Sequence, residues 1–106
     1  LALTTSGFAP GSAELPEGMA NQLSTLGRAL REQRAVVRVE VHTDSSGSPE
    51  HSRALSQRRA EAIRGFLIER GVDPYRVHAV GMGAQRPLLP HDPLAAENRR
   101  VEIIRL

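Results

Sequence analysis

The chain has 106 residues, enough for one domain and one core, and its 40% apolar and 25% charged residues match globular proteins rather than disordered or collagenous ones. No apolar run approaches the roughly 18 residues of a membrane helix, so this segment is not expected to span a bilayer. Cysteine is absent, which excludes a disulfide scaffold, a thiol nucleophile and a Cys-ligated zinc. All 14 basic residues are arginines, and 12 acids bring the net charge to +2. The isoelectric point near 10.4 suggests a nucleic-acid binder. With no lysine or cysteine and one tyrosine, however, almost nothing titrates between about pH 7 and 12, so that value overstates a small charge. An aromatic content of 3% offers no stacking platform, and acids interleave the arginines, which argues against nucleic acid as a partner. The chain opens at Leu1 without a basic or apolar leader, and any targeting signal is expected outside this segment.

In chain order, Leu1 to Thr5 has strand character and Phe8 to Ser12 reads as a loop. Pro16 suits the first turn of a helix, where its missing N–H costs nothing. Met19, Leu23, Leu26 and Leu30 then form one apolar stripe running to about Gln33. Val37, Val39 and Val41 alternate with Arg38, Glu40 and His42, a strand with one apolar and one polar face. Thr43 to Gly47 is a turn. Ser48-Pro49-Glu50 supplies an N-cap, a proline at the first helical position and an acid in the first turn. This second helix runs to about Arg70 and stops at Gly71, with Pro74 beyond it. Tyr75 to Val80 predicts a short strand, Gly81 to Glu97 a Gly/Pro-punctuated loop with room for one helical turn, and Val101 to Leu106 the last strand. The expected fold is an α/β two-layer sandwich of order βαβαβ(loop/short helix)β, with a mixed four-stranded sheet packed against two main helices. Residues 1–106 read as a single domain.

One arginine is out of place. On a helical wheel of about 100° per residue with Leu55 at the origin, Ala62 falls at about −20°, Phe66 at about +20° and Ile63 at about 80°, the face that packs on the sheet. Arg59 falls at about 40°, inside that arc, whereas Arg53 falls at about 160° and Arg64 at about 180°, toward solvent. A charge on a packing face is costly unless it is paired. The candidate partner is Asp44, directly after the valine strand, where open α/β sheets bind ligands. Helical side chains lean toward the N-terminus, so Arg59 would reach back to the loop carrying Asp44, beneath free amides of the helix N-terminus. Two explanations stand side by side: an internal Asp44–Arg59 salt bridge that fixes the loop, or a pocket of both signs for a zwitterionic amino-acid head group. In the second, an ammonium would meet Asp44 and a carboxylate the Arg59 fork.

The run Val41-His42-Thr43-Asp44-Ser45-Ser46-Gly47, then Leu55-Ser56-Gln57-Arg58-Arg59-Ala60, resembles the signature of the OmpA-like domain. Gly71-Val72, Gly81-Met82-Gly83, Pro87 and Asn98-Arg99-Arg100-Val101-Glu102 continue it, so the resemblance covers about Phe8 to Ile104. It implies a domain excised from a longer parent protein that binds peptidoglycan non-covalently in the periplasm of Gram-negative bacteria, gripping the diaminopimelate of the stem peptide. It also implies a parent attached to the outer membrane, or alternatively the inner membrane. The family's clamping aspartate and arginine match Asp44 and Arg59; Thr43 and Ser52 would add hydrogen bonds and Leu55 would pack on the ligand's methylene stem. In the family the Asn98-Arg99 motif borders the binding groove. Where the family has an aromatic and an asparagine before the helix motif, this chain has His51-Ser52. Ser52, on the same side of the wheel as Arg59, replaces only part of an asparagine's hydrogen-bonding capacity. That departure supports an alternative: a protein-interaction module of the same fold that has lost peptidoglycan binding.

Other chemistry has less support. His42-x-Asp44 with His51 offers at most three metal ligands in no zinc spacing, so neither metal nor cofactor is expected. Ser45, Ser46 and Ser48 lie near His42, but no G-x-S-x-G elbow exists and the expectation is no enzyme. Asn98-Arg99-Arg100 could touch an anion, or could simply enter a strand with one arginine solvated and the other paired.

Overall fold

The computed structural model describes residues 2–4 and 8–106, with backbone only for 2–4. The elements are β1 (Ala2–Thr4), α1 (Glu17–Gln33), β2 (Val37–His42), α2 (Pro49–Glu69), β3 (Val77–Gly83) and β4 (Arg100–Arg105), with single 3-10 turns at Pro74–Arg76 and Ala96–Asn98. The expected strand reached to Leu1 and Thr5, which lie outside the described residues. Two helices pack against a mixed sheet in an α/β fold. β2 pairs with β3 in parallel and with β4 antiparallel, and β1 lies along the far side of β4, giving the order β1-β4-β2-β3.

The core follows from the two periodicities. Val37, Val39 and Val41 of β2, with Val77, Val101 and Ile103 of the neighbouring strands, meet Met19, Leu23 and Leu30 of α1 and Ala60, Ile63 and Leu67 of α2. The caps of α2 are as the sequence indicates: Ser48 Oγ accepts from the His51 amide, Pro49 opens the helix, and Gly71 takes φ +96° just past its end.

Three expectations need correction. Tyr75 and Arg76 belong to a 3-10 turn, because the Asp73 carboxylate accepts from the Tyr75 amide and Pro74 fixes its own φ; the strand begins at Val77. At its other end β3 runs on through Gly81 and Gly83, residues that composition assigned to a loop. Glycine is required at 81 by packing, since a Cβ there would come within 2.6 Å of the Gln57 Cα and closer still to its nitrogen.

The third correction concerns Arg64, expected to face solvent. It donates from Nε to the Val77 carbonyl at 2.8 Å and from Nη2 to the Pro74 carbonyl at 3.0 Å. With it, Gln57 accepts from the Gly81 amide (2.7 Å) and donates to the Ala79 carbonyl (3.3 Å), and Ser56 Oγ accepts from the Gly83 amide (3.0 Å). Side chains of α2 thus use backbone groups that β3 would otherwise leave open at the sheet edge. This seam fixes α2 over the C-terminal ends of β2 and β3, where the site lies. No helix of the described residues is long and apolar enough to cross a membrane.

Candidate functional site

A cavity of about 560 Å³ opens where β2 ends and α2 begins, lined by Thr43, Asp44, Ser52, Leu55, Arg59 and Arg99 together with Phe8 and the 10–11 turn. Six of the seven residues predicted from sequence therefore converge on one space.

Arg59 is buried, 5% exposed, as its place on the helical wheel requires. Its charge is not paired with Asp44. Nε donates to the Ser12 carbonyl at 2.8 Å, Nη2 donates to the Ala9 carbonyl at 3.1 Å, and Cζ lies 4.7 Å from the centroid of the Phe8 ring. Burial, with Arg99 and Arg58 nearby, lowers its pKa from the ordinary guanidinium value, while Asp44 opposes the shift; a guanidinium still stays a cation at neutral pH. Two backbone carbonyls occupy one edge of the fork. Among the described residues the donors of Nη1 and the second hydrogen of Nη2 have no partner, which leaves them for an acceptor in the cavity.

Asp44 is held by its own turn. Oδ1 accepts from the Ser46 amide (3.0 Å) and hydroxyl (2.5 Å), and Oδ2 accepts from Arg99 Nη1 at 2.6 Å. Burial pushes its pKa up, but the Ser46 hydrogen bonds and the Arg99 pair outweigh burial and leave it below the ordinary 3.8. The internal salt bridge is therefore real, with a different arginine from the one periodicity nominated. Beside it, Thr43 donates its amide to the Gly83 carbonyl, while its buried Oγ1 has no hydrogen-bond partner among the described residues.

Two further expectations change. Asn98 does not line the cavity. It is fully buried, its Oδ1 accepts from the Leu89 amide and its Nδ2 donates to the Asp92 carbonyl, both at 2.8 Å, so it pins the 84–99 loop. That loop docks on the site through the Pro93 carbonyl, which accepts from the Ser45 amide and hydroxyl. The amides opening α2 are also largely spent: Pro49 has none, that of His51 donates to Ser48 Oγ and that of Ser52 to the Ser48 carbonyl. Positive charge for an anion in the cavity comes from the arginine side chains that line it rather than from these amides.

The family model of the OmpA family matches residues 7–100. The chain belongs to the OmpA family. A peptidoglycan-associated lipoprotein of Pseudomonas aeruginosa is 38% identical over 105 residues, covering 96% of this chain and 62% of that protein. Outer membrane porin F of the same organism is 49% identical over 69 residues, 60% of this chain and 19% of the porin. The crystal structure of the peptidoglycan-associated lipoprotein from Burkholderia pseudomallei superposes with a TM-score of 0.80 at 30% identity, covering 90% of this chain and 83% of that one. This OmpA-family chain thus spans less than two thirds of the length of the curated relatives it resembles.

Sequence reasoning missed Phe8, whose ring supports Arg59, and Ser46, which holds Asp44; an aromatic before a Pro-Gly turn and an Asp-x-Ser turn were the available signals. The metal ligands considered from sequence do not gather. Among the described residues the group that converges is Glu40, His42 and Glu102, with ligand atoms within 4.8 Å of one another. They lie on the sheet face expected to be polar, where Glu40 and His42 are buried. Each acid there already holds an arginine: Arg38 Nε lies 2.7 Å from Glu40, and Arg100 Nη2 lies 2.9 Å from Glu102. The cluster is an ion-pair network in which an arginine compensates each acid, while the two buried His42 ring nitrogens have no hydrogen-bond partner among the described residues.

Proposed function

We propose that this domain binds peptidoglycan non-covalently through the diaminopimelate of the stem peptide, without catalysis, and so anchors its parent protein to the cell wall. The observation that carries this reading is the buried Arg59, which keeps one donor edge for the cavity that Asp44 also lines. A diaminopimelate terminus presents an ammonium and a carboxylate on one carbon. The ammonium pairs with Asp44 and the carboxylate with the Nη edge of Arg59, while Leu55 packs on the methylene stem and Thr43 and Ser52 supply hydrogen bonds. The peptidoglycan-associated and outer-membrane relatives support the same wall polymer and a periplasmic location at the outer membrane. Modest single-site affinity suffices, because many tethered copies on a polymer gain from effective concentration.

The test is sedimentation of the domain with purified sacculi. Asp44→Ala and Arg59→Ala should each abolish co-sedimentation while keeping a cooperative melt, since stranding one charge of a desolvated pair costs about 2–5 kcal/mol. Wild-type sedimentation by both variants overturns the clamp. Calorimetry with a diaminopimelate-ending tripeptide separates the alternative: absence of heat at millimolar peptide favours a protein-interaction module, the role that Ser52 in place of asparagine would suit.

A further inference from the structure

The two cations of the cavity are held very differently. Arg59 is 5% exposed and fixed by two backbone carbonyls and an aromatic face. The Arg99 side chain is 38% exposed, and its one side-chain hydrogen bond among the described residues is the 2.6 Å contact from Nη1 to Asp44 Oδ2. Among the described residues Asp44 is the one acid lining the cavity. Its Oδ1 is committed to two donors of Ser46, so Oδ2 is the oxygen that an incoming ammonium can take, and Arg99 occupies it.

We propose that Arg99 is a displaceable placeholder: it neutralises Asp44 in the free domain and yields Oδ2 to the ammonium of the ligand. The proposal rests on the peptidoglycan reading above and adds the rule by which the site is entered. Two cations cannot share one carboxylate oxygen at contact distance without repulsion. Between Arg59 and Arg99, the one already open to water loses least on leaving. Binding is therefore an exchange of one cation for another, and Arg99 acts on the ligand through Asp44, as a positioning residue. The exchange requires a charged amine. A stem peptide whose side-chain amine has been acylated, as in a cross-link, has no cation with which to displace Arg99.

The experiment compares wild type, Arg99→Gln and Arg99→Lys by calorimetry, using a synthetic tripeptide ending in meso-diaminopimelate and the same peptide acetylated on its side-chain amine. Arg99→Gln should bind the free-amine peptide roughly fivefold to tenfold more tightly, the scale of one charged hydrogen bond released from competition. It should leave the acetylated peptide within about twofold of wild type, and Arg99→Lys, which keeps a cation for Asp44, should stay near wild type. An NMR titration of the Asp44 carboxyl supplies a readout that needs no peptide, and its pKa should rise in Arg99→Gln. Weaker or unchanged binding of the free-amine peptide by Arg99→Gln overturns the placeholder role while wild-type binding leaves the peptidoglycan reading standing. Absence of binding by wild type overturns both.

Discussion

The ring of Phe8 lies against the guanidinium of Arg59, 4.7 Å from centroid to Cζ, and the carbonyls of Ala9 and Ser12 close on the same group. A five-residue loop thus grips a helix side chain by its face and one edge, leaving the opposite edge to act. A lysine retains the charge but has neither a planar face nor a fork. Arg59→Lys should therefore lower tripeptide affinity by at least about tenfold, roughly 1.4 kcal/mol, and Phe8→Leu, which keeps the buried volume, by about threefold. Calorimetry on both variants checks this; wild-type affinity in Arg59→Lys would show that charge alone is read.

On the other sheet face, Glu40 stands opposite Glu102 in the β2–β4 register, and His42 Nε2 lies 3.6 Å from the first and 3.1 Å from the second. Burial, then Arg100, lowers the His42 pKa below 6.5 despite both acids. An unfolded histidine takes up its proton at higher pH than this folded one, so the stabilising contribution is complete above pH 6.5 and is lost as pH falls through the folded pKa. Melting temperature should accordingly drop between about pH 7.5 and about pH 5. His42→Asn should cost about 1–3 kcal/mol at the upper pH and flatten the profile in that window. An equally steep profile in the variant would assign the pH dependence to other groups.

Gly81 marks the closest approach of α2 to β3. Alanine there must push the helix backbone away, so Gly81→Ala should destabilise by about 3 kcal/mol or more, and by more than Gly83→Ala, where φ is +56° and the nearest Arg53 atom is 3.3 Å from the new Cβ. Denaturant melts with unchanged m-values give the comparison. Equal stability in Gly81→Ala would show that α2 slides freely over the strand.

Asn98→Ala separates pinning the loop from contacting the ligand. Leaving the Leu89 amide and Asp92 carbonyl without their partner should cost about 2 kcal/mol in chemical denaturation. Tripeptide affinity at a temperature where the variant is folded should stay within about threefold of wild type. A tenfold loss of affinity without a stability change would instead put Asn98 on the ligand.

The parts of the molecule legible in the sequence were those set by local periodicity. The valine alternation of β2, the Ser48-Pro49 start and Gly71 stop of α2, and the inward direction of Arg59 follow from spacing and caps alone. Partner choice was not legible, because it is decided across the fold. Arg99 meets Asp44 over 55 positions, and Arg59 turns to carbonyls near the N-terminus. Alternation marks Arg38, Glu40 and His42 as one face without saying that their own ion pairs bury it. Likewise a helical wheel puts Arg64 opposite the core but cannot show that a strand edge runs past it.

The covering of β3 by Ser56, Gln57 and Arg64 has a consequence beyond packing. Chains crowded along a surface can recruit one another by adding strands to an unguarded border, and this border is guarded. A strand added at this border would first have to displace the Ser56, Gln57 and Arg64 side chains from the backbone groups of β3.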